Sequence, residues 1–244
     1  MRFSETKSIR RRAAVESASP LATEVRADLK LAAPDASEIV RYLGYPLGRS
    51  PGSRIARHVE QLVKESLSCL EPRGTFSLYP ITERKKRSLR VGHLTICGNI
   101  GEFMEHADRV AAFVVTVGEG ISKRASSARQ GGDAFAAWVV DALGSWAAEA
   151  AADALMVRVQ RHLRDQEALT LRYSPGYCGM EMSQQRQLFR LVRADSVGVK
   201  LLPSLLMQPL KSISGLVGLG PKEAISSYRS ACDRCPQVGC HMRR

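Results

Sequence analysis

Arg172-Tyr173-Ser174-Pro175-Gly176-Tyr177 places a guanidinium, a Pro-Gly turn and two tyrosines within six residues. Pro followed by Gly favours a tight reversal with positive φ at the glycine. Such a turn would bring Arg172 and Tyr177 together and leave backbone N–H groups free as donors. A guanidinium grips a carboxylate through two parallel hydrogen bonds. The glycine admits a flat ligand to the backbone, and Tyr177 adds a ring face and a hydroxyl. The set suits an amino-acid-like or nucleoside ligand; a plain structural turn is the competing reading. Glu149 stands in Trp-Ala-Ala-Glu-Ala-Ala-Ala-Asp, among small apolar neighbours. A carboxylate there either edges into solvent or faces a site. Facing the Arg172 turn, it would complete a clamp for a zwitterion, with Arg172 on the carboxylate and Glu149 on the ammonium.

A third group lies near the C-terminus. Cys232, Cys235 and Cys240 follow a C-x2-C-x4-C spacing. One short loop with that spacing directs three thiolates at a zinc ion or an iron–sulfur cluster. An inert or redox-active thiol group is the alternative. His241 adjoins Cys240 too closely for easy joint ligation, so the fourth position is open to distant Cys178, to an exogenous ligand or to an open iron site. Cys69 and Cys97 sit in apolar contexts and read as core thiols. There is no GxxxxGK[ST] phosphate loop, no HExxH and no GxSxG. The five histidines are dispersed, which argues against a His-rich metal site.

These residues need elements to position them. The stretch from Asp133 to Gln166 is alanine-rich and free of proline, and predicts one helix of about nine turns. Trp138, Ala142, Ser145, Ala148, Ala152 and Leu155 fall along one of its sides, where small residues admit a neighbouring backbone. Asp35 with Glu38 predicts a capped helix ending at Gly44. Ile55, Val59, Leu62, Val63 and Leu67 predict a second helix. Thr75–Ile81 and Ser88–Ile96 read as a hairpin around a charged turn, with Pro80 at a strand end or edge. A short helix follows Gly98, and Ala111–Gly118 reads as a buried strand. Beyond the turn come an amphipathic helix near Ser183–Val192, a strand near Val199–Leu205 and a glycine-spaced stretch to Gly220. Helices and strands mix without regular alternation, so the expected class is α+β with a mixed or antiparallel sheet.

Lys plus Arg number 36 against 24 Asp plus Glu, a net charge of +12 over 244 residues. That balance favours an acidic or anionic partner. No apolar run reaches the roughly 18 residues of a membrane helix, and no secretory signal is expected at the start. Six cysteines are too sparse for a disulfide scaffold, so a reduced, cytoplasmic protein is expected. Residues 1–34 read as a basic flexible segment, 35–225 as the folded domain and 226–244 as a cysteine-rich tail. Arg10, Arg11 and Arg12 lack interleaved aromatic residues, so nucleic-acid binding is not expected of them.

With the turn in place, the chain resembles the activation domain of cobalamin-dependent methionine synthase. That family carries an R-x-x-P-G-Y loop, matched by Arg172, Pro175, Gly176 and Tyr177. Ala148-Glu149-Ala150 resembles the family helix that supplies an acidic ligand-binding residue. Ser204, Met207, Pro209, Ser212, Ser214 and Gly215 match its S-x-x-M-x-P-x-x-S-x-S-G stretch. The three matches keep their order across about residues 138–221. Stand-alone relatives of the domain also share T-x-G (Thr116, Gly118) and D-A-x-G-S (Asp141-Ala142-Leu143-Gly144-Ser145). Cys178 follows Tyr177 where the large enzyme has a proline, and its acidic N-terminal ligand residue and its tyrosine after S-x-S-G have no clear match here. The cysteine cluster is foreign to the large enzyme but suits the short relatives.

The resemblance implies S-adenosylmethionine as ligand, held by Glu149, Arg172, Pro175, Gly176 and Tyr177, with cobalamin carried by a partner. It implies a stand-alone module that supports reductive methylation of a corrinoid-dependent methyltransferase, and methyltransferase-class chemistry if the chain is enzymatic. No side chain need act as acid or base. An acidic flavodoxin-like reductant would suit the positive surface. Two alternatives stand beside it: an iron–sulfur redox protein feeding electrons to a corrinoid protein, and a non-catalytic ligand-binding regulator.

Overall fold

The computed structural model describes residues 25–45, 49–177 and 179–225. Strand β1 (Val25–Asp28) precedes helices α1 (Ala36–Tyr42) and α2 (Ser53–Ser66). Three strands follow, β2 (Arg73–Lys85), β3 (Ser88–Val91) and β4 (Leu94–Cys97), then α3 (Ile100–Phe103) and β5 (Arg109–Thr116). Helices α4 (Gly120–Gln130) and α5 (Ala134–Gln160) lead to β6 (Glu167–Leu169) and α6 (Gln185–Leu191). A two-strand pair, β7 (Lys200–Leu201) and β8 (Met207–Gln208), precedes β9 (Ser212–Pro221) and α7 (Lys222–Ile225). The class is α+β, as the mixed pattern of elements predicts.

The main sheet is antiparallel, in the order β4-β3-β2-β5-β9-β6, with β1 also paired to β2. Every residue of β5 is buried, because both faces of this central strand are covered. Ala111, Phe113 and Val115 point into a core shared with α1, α2, α4 and α5. Val110, Ala112 and Val114 point the other way, into a second core built with β3, β4, α3 and α6. A continuous apolar run is what a strand covered on both faces requires. Asp35 closes the expected capping box on α1: its carboxylate accepts from Ser37 N–H, and Glu38 accepts from Asp35 N–H.

Helix α5 starts where the sequence places it, with the Asp133 carboxylate accepting from Ala136 N–H at 2.8 Å. It ends earlier, at Gln160 rather than Gln166, so its 27 residues span about 40 Å. The chain leaves the helix there to carry Glu167 into β6, the strand beside β9. Glu167 forms a buried ion pair with Arg109, whose guanidinium also donates to the His162 carbonyl at 3.2 Å. Ala142, Ala148, Ala152 and Leu155 are buried as expected, but Trp138 is 50% exposed. The sheet, α1, α2 and α4 all contact α5, so its burial is not one narrow stripe.

Other expectations are corrected. Residues 25–28, expected within a flexible lead, form a strand instead: Val25–Asp28 pair with Arg73–Phe76 and extend the sheet. Ser88–Ile96 is not one strand: the chain reverses at Gly92, with φ +57, to make β3 and β4. Strand β2 runs through Pro80. Ile81 N–H donates toward β5, to the Asp108 carbonyl, so the donor Pro80 lacks would face the other side, beyond the end of β1. The strand expected over Val199–Leu205 shrinks to Lys200–Leu201 before a turn closed by Leu205 N–H to the Leu202 carbonyl. Among the described residues, no helix is long and apolar enough to cross a membrane.

Candidate functional site

The segment after β6 runs beside β9. Thr170 N–H donates to the Gly218 carbonyl at 2.9 Å, and its hydroxyl accepts from Gly218 N–H at 2.8 Å. Tyr173 and Leu216 exchange two backbone hydrogen bonds, each 2.8 Å. The approach is close because position 215 is glycine. A Cβ there would lie 2.9 Å from both the Tyr173 carbonyl and the Ser174 hydroxyl. The last glycine of the S-x-S-G stretch therefore seats the Arg172 turn on the sheet.

The turn takes the predicted form. Tyr177 N–H donates to the Ser174 carbonyl at 3.2 Å across Pro175 and Gly176, and Gly176 has φ +93. These are the features of a type II turn. Pro175 is buried, whereas Tyr177 is 67% exposed. One expectation fails. The Gly176 and Tyr177 amides are not free donors, because Gly176 N–H is taken by the Met180 carbonyl and Tyr177 N–H by Ser174. The chain doubles back after the turn and consumes them.

Arg172 faces α5. Its Nη2 lies 3.0 Å from Glu149 Oε2 and 3.0 Å from Asp153 Oδ1. The two residues singled out 23 positions apart therefore meet, but as partners of each other. Asp153 is the residue the sequence reading missed. Its signal was the spacing of four from Glu149, which puts both carboxylates on one helix face. The side chains of Arg172, Glu149 and Asp153 are 24%, 43% and 64% exposed, so the trio sits at the surface, open to a ligand.

A second contact joins α5 to the loop before β9. Lys211 Nζ lies 2.9 Å from Asp141 Oδ1 and donates to the Ser145 hydroxyl at 2.8 Å. Gly144, between them in sequence, leaves room for the Lys211 stem: a Cβ there would meet Lys211 Cγ at 3.1 Å. Thr116 belongs to the same junction. Its hydroxyl accepts from Gly118 N–H at 3.1 Å and lies 2.9 Å from Ser212 Oγ. The D-A-x-G-S, T-x-G and S-x-S-G stretches thus hold one another in place, which is a structural use of those motifs.

A cleft of about 550 Å³ opens between α4 and Gln208-Pro209-Leu210, lined also by Glu119, Ser122 and Lys123. None of the expected site residues lines it. At its edge Glu119 and Lys123 pair at 2.8 Å. The hydrogen bond and charge of Lys123 hold the Glu119 carboxyl below its ordinary pKa, and Glu119 in turn raises that of Lys123. Cys178 and the Cys232, Cys235 and Cys240 group lie outside the described residues, as do Arg10–Arg12. Among the described residues, no group of three or more His, Cys, Asp or Glu side chains is arranged to hold a metal ion.

Fold and turn together define an α+β domain in which a long helix backs an antiparallel sheet and meets, at its exposed edge, an arginine turn seated on β9. The chain belongs to the family described as vitamin B12 dependent methionine synthase, activation domain, whose model matches residues 99–228. Its fold is similar to that in a solved structure titled "Crystal Structure of the MetH Reactivation Domain bound to AdoHcy". That likeness has a TM-score of 0.61 at 19% identity and covers 89% of this chain and 85% of the other. Comparison with curated proteins finds no match.

Proposed function

We propose that this domain binds S-adenosylmethionine at the Arg172 turn and the exposed face of α5, and supports reductive methylation of a corrinoid-dependent methyltransferase. Family membership and the fold shared with a domain solved with AdoHcy support this reading. The observation that carries it is the 3.0 Å meeting of Arg172 with Glu149 across 23 residues of sequence. An amino-acid carboxylate has its natural partner in the guanidinium, and the α-ammonium in Glu149. In the free protein the two side chains hold each other in position, so binding exchanges one charged partner for another without stranding either. Pro175 and Gly176 shape the backbone beneath the ligand, and Tyr177 offers an exposed ring.

The domain's contribution is positioning. In the reaction the sulfonium C–S bond breaks and its electron pair stays on sulfur, giving a neutral thioether. The methyl group passes to the partner's cobalt, which takes one electron from a separate reductant. The protein must hold the methyl donor in line with that acceptor. No acid or base is required of its side chains. The net charge of +12 suits an acidic corrinoid protein or an acidic reductant as docking partner.

Titration of S-adenosylmethionine into the wild type and Glu149→Gln tests the assignment. The variant should bind about 1–3 kcal/mol more weakly, the scale of a charge-assisted hydrogen bond. Equal affinity for both proteins would return Glu149 to the role of a solvated helix residue.

A further inference from the structure

Arg172 contacts two carboxylates through the same nitrogen, and one guanidinium neutralises only one of them. The trio of Arg172, Glu149 and Asp153 therefore carries one uncompensated negative charge. It does so on a chain whose net charge is +12, where a locally acidic spot runs against the general field. Such a spot repels a ligand of net negative charge, is indifferent to a neutral one and attracts a cation. Asp153 is the most exposed of the three side chains.

We infer that Asp153 makes this site selective for the charged sulfonium over the neutral thioether of the same ligand. The inference rests on the function proposed above. S-adenosylmethionine carries a carboxylate, an ammonium and a sulfonium, for a net charge of +1. After methyl transfer the sulfur is neutral, and the product, S-adenosylhomocysteine, has a net charge of zero. The two molecules differ in size by one methyl group, so shape alone separates them weakly. Charge separates them better. With the ammonium on Glu149, the sulfonium is three carbons further along the ligand, and Asp153 lies one helical turn, about 6 Å, along α5 from Glu149. Running along α5 toward Asp153, the ligand would bring its sulfonium within about 8 Å of that carboxylate, the screening length at physiological salt. A unit charge at that range across a partly exposed surface changes a binding constant about two- to tenfold. Asp153 thereby favours loading of the donor and release of the spent ligand, without touching the group that is transferred.

Calorimetric titration of the full chain with both ligands tests the inference, on wild type, Asp153→Asn and Asp153→Glu. The wild type should prefer S-adenosylmethionine. Asp153→Asn should lose about two- to tenfold of that preference, by weakening S-adenosylmethionine while leaving S-adenosylhomocysteine nearly unchanged. Asp153→Glu should restore the preference. Raising salt from about 0.05 to 0.5 M should compress the wild-type ratio and leave that of Asp153→Asn in place. Equal weakening of both ligands would mean that Asp153 only braces Arg172, and would overturn the inference; so would an unchanged ratio. Failure of the wild type to bind either ligand would overturn the proposed function itself, and this inference with it.

Discussion

Gly215→Ala should dislodge the Arg172 turn from the sheet. The added Cβ would stand 2.9 Å from the Tyr173 carbonyl oxygen and from Ser174 Oγ, and 3.0 Å from Phe113 Cε1. Ser174 Oγ can rotate away, but the other two cannot yield cheaply. The carbonyl is backbone, and Phe113 is fully buried on the central strand. Gly215 does not have positive φ, so alanine brings no backbone strain of its own and the effect is steric. Relief requires the 172–174 segment to lift, straining or breaking the two 2.8 Å hydrogen bonds between Tyr173 and Leu216. Overpacking costs about 1–3 kcal/mol. Loss of the two hydrogen bonds adds about 1 kcal/mol each. Alanine's advantage over glycine in a strand returns about 0.5–1 kcal/mol. A net loss of about 2–4 kcal/mol lowers the melting temperature of a chain this size by about 4–16 °C. Thermal unfolding followed by circular dichroism reads it directly. Gly52→Ala is the control: a Cβ there meets nothing within 4 Å, so its cost is confined to a poorer N-cap on α2, about 1 kcal/mol. If Gly215→Ala melts with Gly52→Ala, the close approach of turn and strand is not what glycine 215 serves.

Tyr79 donates its hydroxyl to the Leu191 carbonyl at 2.7 Å, and Tyr79→Phe should cost about 1 kcal/mol near neutral pH. Burial pushes the Tyr79 phenol above its ordinary value, so the folded state keeps this proton longer than the unfolded state does. That contribution is complete below the ordinary phenol pKa of about 10 and is lost as pH rises past it. Urea midpoints at about pH 8 and 11 should therefore fall further for wild type than for Tyr79→Phe; parallel curves would contradict the sign. For the C-terminal cysteines we propose that the chain carries about one zinc ion or one iron–sulfur cluster, lost together on Cys232→Ser or Cys235→Ser. Elemental analysis of anaerobically prepared, metal-replete protein decides this, and a metal-free wild type would end the proposal.

The sequence declares those elements whose chemistry is local. Asp35 and Glu38 announce α1 because a capping box is closed within four residues. The apolar run of β5 announces a strand buried on both sides. The Pro175–Gly176 turn is legible because only its own dihedral angles are involved. Helix α4 is not legible: Ser126, Ser127 and Arg129 face out, and only Ile121 and Ala125 are buried, too few to set a period. Strand β1 is missed because it is short and only half-buried, and its place depends on a partner nearly 50 residues away. At the candidate site, the chemistry of Glu149 and Arg172 singles them out as two arms of a clamp, but their direct pairing with each other is visible only in the structure. Asp153 did not stand out, because an exposed acid one turn along a helix is ordinary until the guanidinium is seen between the two. The fate of the turn amides depended on Met180 folding back, which no local spacing encodes.

The account stands most directly on one titration, S-adenosylmethionine into wild type, Arg172→Lys and Arg172→Ala, with the melting temperature of each taken without ligand. Glu149 and Asp153 are exposed enough to be hydrated when the arginine is gone, and exposed ion pairs contribute about 0.2–1 kcal/mol each. The ligand-free melting temperature should therefore change little. Binding should weaken by about 1–2 kcal/mol for lysine, which loses the two-pronged fork, and by about 2–4 kcal/mol for alanine. A wild type that binds no S-adenosylmethionine, or variants that lose stability while keeping full affinity, would contradict the account and leave Arg172 as a brace for its own turn.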